Sequence, residues 1–382
     1  MNRENSATGF RRGHANGVRR RILNIPKITP AFSLNSDISL STKINTQKSQ
    51  ATLLSLNKKS NSVAKKLLSR GETHRFVTSR RPRVVTSIRP GSYEFEVELI
   101  KAGVLFPRNA QVPSNYKFLR DVLGEVKDTT HSLYRQKRQF DRFSRACSDA
   151  KDENEITAIV LRELDFQDLL RGPNEVFNNV CMHHPISPKI SSSQPDRYCG
   201  EKKSSIPFSV STALLKYIQP STSADCLLAP NFFLEFKGPK GTAAVCKRQA
   251  FHNGAIGAQA MHMMRQHIDI PEKTLFDAKA YTITITIEAS TAISIYSTHV
   301  TQQIDAHQNI KRAPENSLSY HIVEIGTYHL RSSVESFVEG LSALSNAHSW
   351  ARRQRRKLLS ALQSSTSATR STRPPKRKIC ST

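Results

Sequence analysis

Pro195-Asp196, Asp225 and the run Phe232-Phe233-Leu234-Glu235-Phe236-Lys237-Gly238 contain the residues best suited to chemistry. Side chains alternate across a β-strand, so Glu235 and Lys237 project to one side, Leu234 and Phe236 to the other. A carboxylate and an amine at the end of an apolar strand are costly to bury without a purpose. Hydrolysis of a phosphodiester is one such purpose. Two carboxylates hold Mg²⁺ through oxygen ligands, and the ion polarises the phosphate and lowers the pKa of a bound water. A neighbouring lysine orients that water and offsets charge in the transition state. By itself a Glu-x-Lys triplet equally describes an ordinary ion pair at a strand end. Two aspartates compete for the role of partner carboxylate. Asp196 lies 39 residues before Glu235, which requires a long insertion between the two strands. A three-residue turn at Ala229-Pro230-Asn231 would instead pair Leu228 with Phe232 and set Asp225 opposite Glu235.

The surrounding pattern supplies elements to position these groups. Residues 1–90 are rich in Ser, Asn, Thr, Lys and Arg and poor in aromatics, so they cannot bury enough apolar surface to offset their ordering entropy. They are expected to be disordered apart from a marginal helical turn within 51–68. Composition changes at about residue 91, where apolar and acidic residues interleave over 93–100. Helical spacing follows over 115–127, 130–150 and 153–170, the last stopped by Gly172-Pro173. Residues 187–220 read as loop-rich. A short strand at 231–236 is broken by Gly238-Pro239-Lys240-Gly241, and an Ala-rich helix spans 242–267. Residues 280–287 alternate with period two, with 292–300 as hairpin partner; 321–330 form another strand, and a last helix covers 334–362. This order predicts an α/β or α+β domain.

The formal charge of +26 is unevenly placed. Residues 1–90 hold 19 Lys and Arg against 3 Asp and Glu, and residues 351–382 hold 10 against none. The remaining 28 of each sign leave 91–350 neutral, so the excess concerns targeting and capture of polyanions rather than the fold. Arg19-Arg20-Arg21, Arg80-Arg81-Pro82-Arg83, 352–357 and 375–378 read as signals for a nuclear import receptor or as phosphate-contacting arms. No apolar run follows the first basic residues, so no signal peptide is expected, and no stretch approaches the ~20 apolar residues of a membrane span. The six cysteines lack CxxC spacing, which argues against a zinc site or a disulfide framework and fits a reducing, intracellular setting. His183-His184 reads as a surface pair, Met261, Met263 and Met264 as core filler, and Gly254 and Gly257 as positions of close helix packing.

The succession Pro195-Asp196, Glu235-Phe236-Lys237, a Gly-Pro-Lys-Gly turn and a helix bearing Lys247-Arg248-Gln249 resembles the PD-(D/E)XK nuclease superfamily. Closer still is the resemblance to a family of uncharacterised fungal proteins with a PD-(D/E)XK nuclease-like domain. It rests on 93–107, Pro195 to Gly200, Tyr217 to Thr222, Ala229 to Pro239, Lys247 to Ala250 with Asn253 to Ala258, and Ala280 to Thr284, and it covers roughly 92–362. It implies a restriction-endonuclease-like core, a mixed central sheet flanked by helices, with extra N-terminal helices and disordered basic tails at 1–91 and 363–382. It also implies Gln249 as polar support and Glu155 as an optional upstream acid of the metal site. Two functions are therefore expected. One is a nuclear, Mg²⁺-dependent nuclease-like protein acting on DNA or RNA phosphodiesters, with Asp196 (or Asp225) and Glu235 as ligands and Lys237 as water-orienting base. The other is a catalytically silent domain that keeps the fold as a binding or scaffold module.

Overall fold

Thr282, Thr284 and Thr286 alternate with Ile283, Ile285 and Ile287, and both sets are buried, so this strand has a core on each face. The computed structural model describes residues 87–126, 132–173, 175–179, 189–206, 210, 212–268, 272–288, 292–302 and 318–371. The tail sequences before residue 87, His183-His184, and the basic run at 375–378 lie outside the described residues.

Six strands form one mixed sheet: β1 (Val104–Leu105), β2 (Arg197–Glu201), β3 (Leu228–Lys237), β4 (Thr282–Glu288), β5 (Ala292–Gln302) and β6 (Leu318–His329), in the spatial order β1-β6-β5-β4-β3-β2. Strand β2 runs antiparallel to β3, β3 parallel to β4, and β4-β5-β6 form an antiparallel meander. Helices α1 (Tyr93–Lys101), α2 (Tyr116–Gly124), α3 (Leu133–Asp149) and α4 (Glu153–Arg162) come before β2. Helix α5 (Thr212–Ile218) precedes β3, α6 (Ala243–His267) and the short α7 (Glu272–Leu275) lie between β3 and β4, and α8 (Val334–Ser371) follows β6. The domain is thus a mixed α/β structure. No helix among the described residues is long and apolar enough to cross a membrane.

The expected alternation of β3 is realised. Phe232, Leu234 and Phe236 join Ile283, Ile285 and Ile287 in a core closed by Phe143 of α3, Val160 of α4 and Phe337, Leu344 and Trp350 of α8. Phe233 faces the other core, with Ala250, Ala255, Met261 and Met264 of α6. Helix α6 approaches the sheet closely because its contact face is small. A Cβ on Gly257 would come within 2.7 Å of Phe233 Cε2 and 3.0 Å of the Pro230 carbonyl, and one on Gly254 within 2.7 Å of Thr298 Oγ1.

The stretch at 93–100, whose composition marks the start of the domain, is helical, as α1. Other expectations shift. Helix α4 ends at Arg162 rather than near 170, because the chain turns to bury Leu164 and Phe166 and then makes a 3-10 turn at Gln167–Leu169. Ala229-Pro230-Asn231 does not turn. The chain continues through it as part of β3, with Ala229 in the left-handed region at φ 51° and the register against β2 shifted between Cys199 and Glu201. The basic run at 352–357 belongs to α8, and it is partly structural. Arg355 is 1% exposed and donates to Asn231 Oδ1 and, at 3.5 Å, to the Cys199 carbonyl. Its Nε lies 3.7 Å from Glu201, which also pairs with Arg356 at 3.3 Å. A buried, partnered arginine anchors α8 to β2 and β3, so Arg355 is removed from the solvated charges of this run, while Arg353, Arg356 and Lys357 stay exposed.

The packing of α6 gives a direct test. Gly257→Ala is expected to cost about 1–3 kcal/mol of unfolding free energy, the usual range for overpacking a filled interface. Urea unfolding measures it, and an unchanged midpoint would show that α6 sits farther from the sheet.

Candidate active site

Strand pairing settles which aspartate meets Glu235. Arg197 pairs with Leu234 and Tyr198 with Phe233, so the same register carried one step outward sets Asp196 opposite Glu235. The Asp196 side chain reaches β3 beside Glu235: its Oδ2 accepts the Phe236 N–H at 2.7 Å. Asp225, in contrast, lies exposed in the loop before β3, because the turn that would have brought it to Glu235 is absent.

Asp196 is itself held from behind. The segment before it returns to the sheet through Arg171, which exchanges two backbone hydrogen bonds with Tyr198 at 2.8 and 2.9 Å. Gly172 has φ +117°, a region that favours glycine, and a Cβ there would strike the Asp196 carbonyl.

Glu235 is 0% exposed beneath α6. Its Oε1 accepts a hydrogen bond from Asn253 Nδ2, and Asn253 Oδ1 in turn accepts from Ser193 Oγ. Its Oε2 is buried without a hydrogen-bond partner. Cys246 donates from Sγ to the Glu235 carbonyl at 3.5 Å. Cys246, Gln249 and Asn253 follow helical spacing, so Gln249 falls between two residues that touch Glu235, and its Oε1 is also buried without a partner. Neither Asn253 nor Ser193 was anticipated from sequence. Asn253 was legible through that spacing; Ser193 carried no signal.

The lysine sits at the mouth. Lys237, its side chain 12% exposed, donates from Nζ to the Phe236 carbonyl at 2.6 Å and to Glu153 Oε1 at 3.2 Å. Glu153 opens α4, whose start is fixed by Asp152 accepting from the backbone N–H groups of Asn154 and Glu155 at 2.9 and 3.0 Å. The upstream carboxylate that meets Lys237 is therefore Glu153. Glu155 is exposed, and its carboxylate accepts from the Lys151 N–H at 2.7 Å instead. A cleft of about 410 Å³ lined by Glu153, Asn154, Thr157, Pro173, Asp196 and Arg197 reaches the group on its Glu153 and Asp196 side.

Burial sets the protonation. It pushes the Glu235 carboxyl well above its ordinary 4.5, the adjacent Asp196 adds to the rise, and Lys237 and Asn253 offset only part of it. Burial also raises Asp196, against the opposing pull of the Phe236 N–H and Lys237. For Lys237 burial acts downward, yet Asp196 and Glu153 outweigh it and the amine is held above 10.5. It stays a cation near neutrality, the form suited to charge neutralisation.

Among the described residues no group of three or more His, Cys, Asp and Glu is placed to hold a metal ion. Mg²⁺ binds commonly through one or two carboxylates with phosphate and water completing the shell. The Asp196–Glu235 pair, with one unpartnered oxygen, fits that donor set. Comparison of the chain with protein-family models, curated proteins and solved structures gave no match.

A carboxyl whose pKa is raised on folding stabilises the fold below its unfolded value and loses that contribution as pH rises through the folded value. Glu235→Gln removes the loss and keeps an oxygen for Asn253. Thermal melts should show the variant more stable than the parent at pH 8, with the gap closing toward pH 4.5. A variant less stable at every pH would mean that Glu235 is a satisfied structural group.

Proposed function

We propose that this chain is a Mg²⁺-dependent nuclease-like protein that hydrolyses nucleic-acid phosphodiesters, built on a restriction-endonuclease-like core. The observation that carries this reading is the pairing of two carboxyls, Asp196 and Glu235, both raised by burial, beside a lysine kept charged. Perturbed groups of this kind concentrate at functional sites, where they are retained at a cost in stability. The strand order supports the fold assignment. An aspartate at the edge of one strand faces Glu-x-Lys on its antiparallel neighbour, and a helix then leads to a parallel strand.

Asp196 and Glu235 would hold the metal, whose contribution is Lewis-acid polarisation of the phosphodiester. Lys237 offsets negative charge that develops on the phosphoryl oxygens, and Glu153 fixes its Nζ at the mouth of the cleft. Asn253, backed by Ser193, holds one Glu235 oxygen and so orients the other toward Asp196. Gln249 supports the same carboxylate from one helical turn away. The basic sequences at 19–21, 80–83 and 375–378 would engage a nuclear import receptor, which places the activity in the nucleus.

A second reading has its own support in the complete burial of Glu235: a silent domain in which the carboxyl pair stays closed and protonated, and the fold serves as a binding module. Metal titration of the full chain separates the two. Mg²⁺ or Mn²⁺ at about a hundredfold excess over Kd should stabilise the parent protein by about 2.7 kcal/mol and leave Glu235→Ala unshifted. Nicking of DNA or RNA should fall about 10²–10³-fold in Lys237→Ala, the usual loss when one charge-stabilising donor is removed. An equal metal shift in both proteins, with no nicking by either, supports the silent module.

A further inference from the structure

Helix α3 carries Arg135, Arg138, Arg142 and Arg145 at intervals of three, four and three residues, which sets all four on one helical face. Phe143 and Cys147 point into the core from the opposite side, and the four arginines are exposed. The line extends over about 15 Å of helix. Arg142 approaches Glu163 at 3.6 Å, but among the described residues no carboxylate lies within ion-pair distance of Arg135, Arg138 or Arg145. Asp141, three residues after Arg138 and four before Arg145, flanks the line, and Asp149 closes it at its C-terminal end.

An ordinary solvated helix face interleaves opposite charges at this spacing, because like charges three or four residues apart repel and weaken the helix. Here Arg135, Arg138 and Arg142 are each followed at that spacing by another arginine, with Asp141 only at the edge of the stripe. The residues from 91 to 350 are neutral in total, so the stripe is a local concentration and not a sample of a general excess. Two contacts order it without neutralising it: the Arg138 guanidinium lies 5.9 Å from the Tyr134 ring centre, and Arg145 Nε donates to the Asp141 carbonyl at 3.2 Å. Guanidinium forks match phosphate oxygens two at a time, and a row of them matches a row of phosphates.

We propose that the outer face of α3 is a docking surface for the phosphodiester backbone of a nucleic acid. Helix α3 leads within four residues into α4, whose first residue, Glu153, holds Lys237. The assignment rests on charge and spacing and stands whether or not the cleft hydrolyses anything.

The test is fluorescence anisotropy of the full chain with a short DNA duplex over a range of salt, comparing the parent with R135Q/R138Q/R142Q/R145Q. The basic tails add the same background to both. Losing four phosphate contacts should flatten the slope of log K against log salt by about 3.6, at about 0.9 per phosphate, and weaken binding at least about tenfold at physiological salt. R135Q/R138Q should give about half that change, and the four Arg→Lys substitutions together should retain most of the slope. Slope and affinity unchanged in a fourfold glutamine variant that melts like the parent would overturn the proposal. So would loss of binding to phosphatidylserine vesicles with DNA binding intact, which would assign the stripe to a membrane surface.

Discussion

Glu235 is sealed beneath α6 with one oxygen held by Asn253 and the other unpartnered, and strand register sets Asp196 directly opposite. Two carboxyls that share a site shielded from water cannot both ionise without cost, and each is driven toward its protonated form. Much of the surrounding structure is arranged to hold that unfavourable pair. Small residues on α6 let the helix close over β3, Gly172 lets the chain pass tightly behind Asp196, and Glu153 secures the Lys237 cation beside the pair. A divalent cation would relieve the repulsion that the protein alone leaves in place.

The two faces of β3 divide the labour. The Phe232-Leu234-Phe236 side is sunk in an aliphatic and aromatic core under α8, which fixes the strand's height and tilt. The opposite side carries Glu235 and Lys237 toward α6 and the cleft, so rigidity on one face provides precision on the other. Buried Arg355 belongs to the same design: it ties α8 to the Cys199 carbonyl, Asn231 and Glu201, on the two strands that bear the carboxyls.

Much of this could be read from local pattern. The period-two alternation at Thr282–Glu288 and the apolar strand with Glu235 and Lys237 on one side are properties of neighbouring residues. The choice between Asp196 and Asp225 was not local. It turned on whether Ala229-Pro230-Asn231 reverses the chain, and this turn-rich composition stays within β3 with Asn231 held by the Tyr281 and Ala351 carbonyls and by Arg355 of α8. Glu153 rather than Glu155 meets Lys237 because Asp152 caps α4 and fixes which way its first turn faces, a difference of two residues that only the packed helix decides. The run at 352–357 looked like targeting sequence, since one-dimensional charge carries no information on burial; Arg355 is inside.

The account stands or falls on the ionisation of one side chain. Carbon-detected NMR of the ¹³C-labelled protein, with the Glu235 carboxyl assigned from Glu235→Gln, follows that group directly. The structure requires it to titrate well above 4.5 without metal and to lose its proton at lower pH when Mg²⁺ is added, since bound metal demands the carboxylate. A Glu235 carboxyl that titrates in the ordinary range and ignores Mg²⁺ would contradict the account.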